Sequence, residues 1–345
     1  MNIGILCPSE IAYRRFLPAL KKIDSTVLVG VGVNTPEERY GKHLPEQTDV
    51  DSMLAAEKDK AGKMIAEYGG RLFDGYEAII SSPDTDAVYI PLPPALHYQW
   101  ARKALLQGKH VLVEKPSTTA FKDTAELVRI ARENNLALHE NYMFMFHNQL
   151  DAIESIIRSG EIGDVRLYRI SFGFPRRAAN DFRYNKALGG GALIDAGGYT
   201  IRYATRLLGE TAEIRCARLN YTDDSDVDMY GSATMINQDG VTAQIAFGMD
   251  NDYKCELEVW GSRGTLKTGR VLTAPAGFVP SMTIKKNTEI EERTLPADDA
   301  FGKSIAHFMK CMKDRMIRET NYESMLRQAR LVEQFSEMAV LALPV

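Results

Sequence analysis

The chain has 345 residues, of which 45% are apolar and 26% charged, and its formal net charge is −4. This length exceeds what one hydrophobic core usually organises, so two domains are expected in a globular protein of ordinary composition. No basic block stands out, which argues against a nucleic-acid partner, and no run approaches the roughly 18 apolar residues of a membrane span.

The cysteine and histidine positions predict no disulfide framework and no metal site. The four cysteines are far apart, and no third ligand lies at a sensible spacing from His139 and His147. A reduced, cytoplasmic protein is therefore expected. The first six residues carry no basic leader, so a signal peptide is not expected.

Short apolar strands alternate with helix-like stretches at the start of the chain. The predicted strands are residues 2–6, 26–33, 87–91, 110–114 and 136–141, and the predicted helices are 11–23, 98–107 and 121–134. This alternation indicates a doubly wound parallel sheet. Residues 41–60 are charged and weakly periodic, and we interpret them as a surface insertion.

The pattern changes after residue 148. A helix at 153–158 is followed by alternating runs at 165–174, 212–221, 229–237, 241–249 and 254–260, and helices are predicted at 302–315 and 322–339. The segment from Asn237 to Gly240 is a hairpin signal between two of these runs. We therefore predict a parallel α/β domain over residues 1–140 and an α+β domain with a large, open, mainly antiparallel sheet over 141–345.

The turn after the first strand has the spacing of a dinucleotide-binding turn without its glycines. Cys7, Ser9 and Ala12 stand where three glycines would allow close approach of a pyrophosphate, and all three are small. An ordinary strand–turn–helix connection stays open as the alternative. The candidate cofactor residues of this turn are Cys7, Pro8, Ser9, Glu10 and Ile11.

The end of the second strand bears on the choice of cofactor. A carboxylate there would bind an adenosine 2′-hydroxyl and repel a 2′-phosphate, but Asn34 and Thr35 are neutral and Arg39 follows one turn later. These candidate residues favour NADP(H). Glu37 and Glu38 put negative charge nearby, so NAD(H) stays an open alternative.

Two short motifs carry residues able to move a proton on or off an alcohol oxygen. Lys115 ends an apolar strand within the run 113–116, and Asp195 and Tyr199 are four residues apart, on one face of a helical turn. The alternatives are a solvated lysine, an acidic residue at a helix N-terminus and a core tyrosine.

In order, residues 16–20, 91–97, 104–116, 189–199 and 260–266 resemble the Gfo/Idh/MocA family, which includes glucose-fructose oxidoreductase and inositol 2-dehydrogenase. The resemblance implies an N-terminal NAD(P)-binding Rossmann domain, a sheet that pairs subunits into a homodimer or homotetramer, and hydride transfer between nicotinamide and a sugar-like carbon. It also implies a cis Lys115–Pro116 bond. It assigns further cofactor contacts to Pro91, Leu92, Pro93, His97, Glu114 and Lys115.

Within the family, Tyr199 resembles the branch that contains glucose-fructose oxidoreductase, the dihydrodiol and aldose dehydrogenases and the nucleotide-sugar 3-ketoreductases. The segments 140–144 and 181–184 most resemble the 3-ketoreductases. This implies substrate contacts from Asn141, Tyr142, Arg183 and Tyr199, although an ion pair with Asp181 is an equally good interpretation of Arg183. An aldose or trans-dihydrodiol dehydrogenase is a second interpretation. A non-catalytic, cofactor-bound regulatory protein is a third.

The three candidate catalytic residues have distinct expected roles. Tyr199 would be the acid/base, and because a free phenol has a pKa of about 10, an adjacent cation such as Lys115 would favour its ionised form. Asp195 would orient the lysine or the sugar. The expected substrate is a sugar or nucleotide sugar.

Overall fold

The structure is a computed structural model that describes residues 1–40 and 47–341. The chain forms two compact units. The first comprises residues 1–118, 122–141 and 304–326, and the second comprises the rest of the described chain. Each unit has its own hydrophobic core.

The first unit is built on a six-stranded parallel sheet. Its strands are β1 (Asn2–Ile5), β2 (Val27–Val33), β3 (Arg71–Asp74), β4 (Ala87–Ile90), β5 (His110–Glu114) and β6 (Leu138–Asn141). Their order is β3-β2-β1-β4-β5-β6, so the strand order reverses at β1. The predicted doubly wound sheet is confirmed, and ligands of such sheets bind where the order reverses, beyond the carboxyl ends of the strands.

Helices of 4 to 22 residues connect these strands. They are α1 (Leu17–Leu20), which follows a π-helical turn at Ala12–Phe16, then α2 (Pro36–Tyr40), α3 (Gln47–Tyr68), α4 (Tyr76–Ile80), α5 (Pro94–Leu106) and α6 (Phe121–Glu133). Parallel neighbours require such crossovers because the chain must return to the same end of the sheet each time.

The prediction of a surface insertion at residues 41–60 is wrong for its second part, while residues 41–46 lie outside the described residues. From Gln47 onward the chain forms α3, which packs against β2. Val50, Ala61 and Met64 are buried in that contact. The charged residues between them hide a sparse apolar stripe, which is why the helix was missed.

The second unit is built on an eight-stranded sheet. Its strands are β7 (Val165–Gly173), β8 (Glu213–Asn220), β9 (Tyr230–Ile236), β10 (Thr242–Gly248), β11 (Lys254–Gly261), β12 (Thr265–Gly269), β13 (Ser281–Lys286) and β14 (Glu289–Thr294). Their order is β14-β13-β12-β11-β7-β10-β9-β8, and all neighbours are antiparallel except β7 and β10. The predicted hairpin between β9 and β10 is confirmed, with Thr242 opposite Ile236.

In this unit α7 (Asn148–Arg158) precedes β7 and α8 (Gly198–Leu208) follows it. α8 packs on β7 and β10 and covers one face of the sheet. Along β11 the side chains alternate as the pleat requires, with Leu257 and Val259 buried and Trp260 exposed.

The chain ends in α9 (Ala300–Lys313) and α10 (Arg315–Leu341), and residues 304–326 belong to the first unit. Asn321 donates a hydrogen bond to the carbonyl of Leu138 at 2.7 Å, and the hydroxyl of Tyr322 donates to the carbonyl of Leu136. A simple division at residue 140 therefore differs from the compact units, because these helices return to β6 after the second sheet is complete.

In the described ranges, no helix has both the length and the apolar composition needed to cross a membrane. The same ranges contain no group of three or more histidine, cysteine or acidic side chains arranged to hold a metal ion.

Candidate functional site

The turn after β1 keeps the small side chains expected of a phosphate-binding turn. The hydroxyl oxygen of Ser9 accepts a hydrogen bond from the backbone N–H of Ala12 at 3.2 Å, which leaves its own proton to donate. The thiol of Cys7 hydrogen-bonds with the hydroxyl of Tyr76, and burial raises the pKa of Cys7 to about 12. Cys7 is therefore a neutral, space-filling side chain at this turn.

At the end of β2, Asn34 is buried, and its side-chain oxygen has no hydrogen-bond partner among the described residues. Thr35 and Glu38 form a reciprocal capping pair at the start of α2, with distances of 3.1 and 3.2 Å. Arg39, the predicted 2′-phosphate ligand, forms a 2.7 Å ion pair with Glu57.

Glu38 also reaches a second helix. Its carboxylate accepts hydrogen bonds from the backbone N–H groups of Tyr76 and Glu77, at 2.8 and 2.9 Å, where α4 begins. The charge of Glu38 is thus offset by the N-termini of two helices. The carboxylate of Glu38 is therefore expected to repel a bound 2′-phosphate less than its position in the sequence suggests.

The loops that follow β4 and β5 are joined by one buried side chain. His97 lies 2.7 Å from the carbonyl oxygen of Leu92 through Nε2 and 2.7 Å from that of Pro116 through Nδ1. Burial lowers the pKa of His97 to about 4, although its contacts with the two carbonyl oxygens oppose the shift. The Lys115–Pro116 bond is cis, as the family resemblance implied.

The segment that carries Lys115 is held at three points. The carboxylate of Glu114 accepts the backbone N–H of Lys115, His97 contacts the carbonyl of Pro116, and Glu140 accepts the backbone N–H of Ser117 at 2.7 Å. The half-buried Lys115 therefore extends from a fixed backbone.

Glu114 is itself surrounded by donors. It accepts hydrogen bonds from the hydroxyl of Tyr89 and the side-chain amide of Asn141, each at 2.7 Å. Burial raises the pKa of Glu114, although these donors oppose the rise. Pro91 and Pro93 flank Leu92 in the loop after β4.

In the second unit, the glycine-rich motif opens a helix that begins with a π-helical turn at Leu193–Gly197 and continues as α8. The backbone N–H of Leu193 donates to the carboxylate of Asp228 at 2.6 Å. Gly191 has a φ of 125°, and a Cβ there would lie 2.4 Å from Asp228. Asp228 thus fixes the start of the helix that carries Asp195 and Tyr199.

Arg183 forms ion pairs with both neighbouring carboxylates. Its Nε donates to Asp195 at 2.7 Å and its Nη1 donates to Asp181 at 3.1 Å. Burial opposes the charge of the guanidinium, but the two carboxylates raise the pKa of Arg183 above its ordinary value. The ion-pair interpretation of Arg183 therefore describes the structure, and it extends to Asp195.

Aromatic rings surround the half-buried side chain of Tyr199. The ring centroids of Tyr142, Phe172 and Phe144 lie 5.3, 5.2 and 5.6 Å from that of Tyr199, in edge-on or tilted arrangements. A Cβ at Gly198 would lie 2.2 Å from the hydroxyl oxygen of Tyr142. The phenol is thus held by packing of its ring.

The structure places two predicted substrate residues in buried positions. Asn141 and Tyr142 are each 2% exposed; the first is bonded to Glu114 and the second packs against Tyr199. Sequence reasoning missed Asp228 and Glu140, whose contacts are made only through tertiary packing. It also missed Gln328, which donates to the carbonyl of Gly198 at 2.9 Å.

Two family models match the chain. Residues 25–142 match the oxidoreductase family with an NAD-binding Rossmann fold, and residues 150–267 match the GFO/IDH/MocA C-terminal domain. The chain belongs to the Gfo/Idh/MocA family and is an NAD(P)-dependent oxidoreductase. The resemblance found in the sequence is confirmed.

The more particular likeness is to 3-ketoreductases of deoxysugar nucleotides. The chain is 35% identical over 343 residues to dTDP-3,4-didehydro-2,6-dideoxy-alpha-D-glucose 3-reductase of Saccharopolyspora spinosa, covering 98% of this chain and 97% of that protein. It is 37% identical to the same enzyme of Actinomadura kijaniata, with 96% and 94% covered.

A solved structure agrees with these relatives. A 3-ketoreductase from Actinomadura kijaniata in complex with NADP and TDP-benzene superposes with a TM-score of 0.88 and 36% identity, covering 98% of this chain and 97% of that one. The predicted 3-ketoreductase branch is thus confirmed, and the aldose or dihydrodiol dehydrogenase and the regulatory protein are not favoured.

Proposed function

We propose that this protein is an NADPH-dependent 3-ketoreductase that reduces the C3 carbonyl of a dTDP-linked 3,4-diketo deoxysugar to an alcohol. The observation that carries the proposal is full-length similarity to enzymes of that name, combined with the presence of Lys115 and Tyr199. The similarity identifies the branch of the family, and the particular sugar is our inference.

The first unit offers residues that fit NADP(H). The small side chains of the turn at Cys7 and Ser9 leave room for a pyrophosphate, and the unpartnered oxygen of Asn34 lies where the adenosine end binds in this fold. Arg39 provides a cation for a 2′-phosphate, after release from Glu57. When bound, the reduced cofactor supplies a hydride to the carbonyl carbon.

Tyr199 and Lys115 complete the reduction by handling the proton. As the carbonyl carbon gains its hydride, the hydroxyl of Tyr199 donates a proton to the carbonyl oxygen, and the ammonium group of Lys115 stabilises the negative charge on the oxygens involved. Asp195 orients these groups while its own charge is balanced by Arg183. The products are the alcohol and the oxidised cofactor.

The solved variants of the Actinomadura kijaniata enzyme support this assignment. One carries a substituted tyrosine and others a substituted lysine. These two residues are separated along that chain by the same number of residues as Lys115 and Tyr199 are here.

We also propose that the eight-stranded sheet pairs copies of the chain into a homodimer or homotetramer. The outward side chains Trp260 and Ile290 are 51% and 66% exposed, and both line one depression on this face of the sheet. All four cysteines are unpaired, which supports a cytoplasmic location.

The test is NADPH oxidation by the purified protein with the dTDP-linked diketo sugar, compared with NADP⁺ reduction over free aldoses. We expect Tyr199→Phe to lower kcat by about 10²–10⁴-fold, the usual worth of a positioned acid, with NADPH affinity retained. Tyr203→Phe is the matched control. It makes the same change one turn further along α8, at a buried hydroxyl without a hydrogen-bond partner among the described residues.

Unchanged turnover in Tyr199→Phe would remove this residue from the mechanism. Turnover of aldoses but not of the nucleotide-linked sugar would replace the proposed substrate class.

A further inference from the structure

A chain of hydrogen bonds leads from Glu114 to the C-terminal helices, entirely within the first unit. The side-chain amide of Asn141 donates to Glu114 at 2.7 Å, and the hydroxyl of Ser304 on α9 donates to the oxygen of Asn141 at 2.8 Å. Nε2 of His139 lies 3.0 Å from the same hydroxyl, and its Nδ1 lies 2.9 Å from the side-chain oxygen of Asn321 on α10.

Four members of this chain are buried: His139, Asn141, Ser304 and Asn321. A buried polar group without a hydrogen-bond partner destabilises the fold by about its desolvation free energy. Each group in this chain therefore restricts the orientation of the next. Ser304 on α9 reaches Glu114, the last residue of β5, through one intermediate, Asn141. Asn321 on α10 reaches it through three, which are His139, Ser304 and Asn141.

The orientation of the two amides fixes the direction of the hydrogen bonds. Asn321 donates its NH₂ to the carbonyl of Leu138 at 2.7 Å, so its oxygen faces His139 and accepts from Nδ1. With Glu114 ionised, Ser304 donates to Asn141 and must therefore accept from Nε2 of His139. In this arrangement His139 donates from both nitrogens and carries a positive charge.

A second arrangement also satisfies every contact. If Glu114 holds the proton, it donates to Asn141 after the amide has turned over, Asn141 then donates to Ser304, and Ser304 donates to Nε2 of a neutral His139. The two arrangements contain the same number of protons and differ in which end of the chain is protonated. In either arrangement that satisfies every contact, Glu114 and His139 hold one proton between them, with Ser304 as the link.

We propose that Ser304 and Asn321 are positioning residues for hydride transfer: through His139 and Asn141 they fix the orientation and charge of Glu114, which holds the backbone of Lys115. The proposal rests on the proposed function insofar as Lys115 acts on the substrate. It assigns to the C-terminal helices a part in the chemistry beyond covering the sheet.

The titratable and charged neighbours of the two ends of the chain include Tyr89, Lys115, His307 and Cys311. Glu114 is faced by the hydroxyl of Tyr89 from β4 and by the adjacent Lys115. His139 is faced from α9 by His307, with ring centroids 5.2 Å apart, and His307 in turn contacts Cys311. Burial lowers the pKa of His307 and raises that of Cys311 to about 11, so both are neutral at pH 7.

The decisive variant is Ser304→Ala, with Tyr322→Phe as the matched control. Tyr322 lies on α10 and its hydroxyl bonds to the carbonyl of Leu136, so its loss disturbs helix docking without touching the polar chain. We expect Ser304→Ala to lower kcat by about 10–100-fold, the range for small misplacement of a catalytic group, with NADPH affinity within about twofold. Tyr322→Phe should keep kcat within about twofold.

The pH profile gives a second readout. Without Ser304, the amide of Asn141 is no longer held toward Glu114, and loss of that donor raises the pKa of Glu114 further. The acid limb of log kcat should therefore move to higher pH in Ser304→Ala and stay in place in Tyr322→Phe. Equal effects of the two variants on kcat and pH profile would overturn the proposal, because they would indicate helix docking alone.

A third readout does not depend on turnover. The method is NMR of protein labelled with ¹⁵N-histidine, in which the ring signals of His139 are assigned by their loss in His139→Gln. The pH titration of these signals should be the same in the wild type and in Tyr322→Phe. It should differ from the wild type in Glu114→Gln and in Ser304→Ala. An unchanged His139 titration would overturn the shared proton, and inactivity of the wild type toward keto sugars would overturn only the proposed function. If Ser304→Ala does not fold, Ser304→Cys retains the side-chain size with a weak donor and is expected to show the same shifts.

Discussion

The ion pair between Arg183 and Asp195 gives a prediction whose size follows from the structure. Nε of Arg183 lies 2.7 Å from Asp195, and the two side chains are 19% and 11% exposed. A second carboxylate, that of Asp181, lies 3.1 Å from the same guanidinium. Arg183→Met keeps a side chain of similar length and leaves two carboxylates without their cation.

Removing one partner of a buried ion pair costs about 3–5 kcal/mol because the other charge stays behind. Arg183 keeps some access to water, so we expect the lower end, a loss of about 3 kcal/mol of unfolding free energy. Asp195→Asn should lose about 1–2 kcal/mol, since the amide oxygen still accepts a hydrogen bond. Combined with Asp195→Asn, Arg183→Met should cost less than the two losses added, with a coupling of about 1.5–2 kcal/mol.

The assay uses the two tryptophans of the chain. Trp100 lies in the first unit and Trp260 in the second, so in a Trp100→Phe background the fluorescence of Trp260 follows unfolding of the unit that contains Arg183. Urea titrations of the single and double variants give the coupling. Additivity of Arg183→Met and Asp195→Asn within about 0.5 kcal/mol would refute the reasoning.

Two further predictions concern a tight contact and a surface charge cluster. Gly198→Ala should destabilise the protein by about 1–3 kcal/mol in thermal unfolding, because its Cβ would lie 2.2 Å from the hydroxyl of Tyr142. A second change, Tyr142→Phe, should recover part of this loss. If the double variant recovers no stability, the clash with the hydroxyl is not the cause. Hydrogen bonds from Arg293 and Lys286 lower the pKa of Glu161 to about 2, so Glu161→Gln should be less stable than the wild type at pH 7, and the difference should disappear as pH falls from about 4.5 toward 2. Denaturant titrations at pH 7, 4 and 2.5 check this, and a constant difference would exclude the ion pair as its source.

The sequence predicted the strands with a continuous apolar or a longer alternating run and missed β3, β12, β13 and β14. The strands β12 and β13 alternate, but each buries only two side chains. β5 was predicted with the boundaries that the structure shows, because its interior is fully apolar. β3 has four residues with one buried side chain, and β14 has none that is buried, so neither presents a periodic signal. Their positions at the edges of the two sheets explain this, since an edge strand contributes little to the core.

The residues of the candidate site also fall into two groups, those that a sequence motif indicates and those that it does not. Lys115 and Tyr199 could be proposed as candidates because their neighbours in sequence form recognisable motifs. Asp228, Ser304 and Asn321 could not be proposed from the sequence. Each contacts its partner across a separation of 35 to 182 residues, and no local sequence pattern indicates such a contact. Supporting residues of this kind become visible only when the chain has folded.

Glu38 shows why the effect of a charged residue on cofactor binding can be misjudged from the sequence. In the sequence its carboxylate counts against a 2′-phosphate, because charge is assigned by residue type and proximity along the chain. In the structure that carboxylate accepts hydrogen bonds from three backbone N–H groups at the starts of α2 and α4. These three donors hold the carboxylate against the starts of the two helices and offset part of its charge. The preference for NADPH therefore depends on the exposed Glu37 and on Arg39 with its partner Glu57, rather than on the number of acidic residues in the segment.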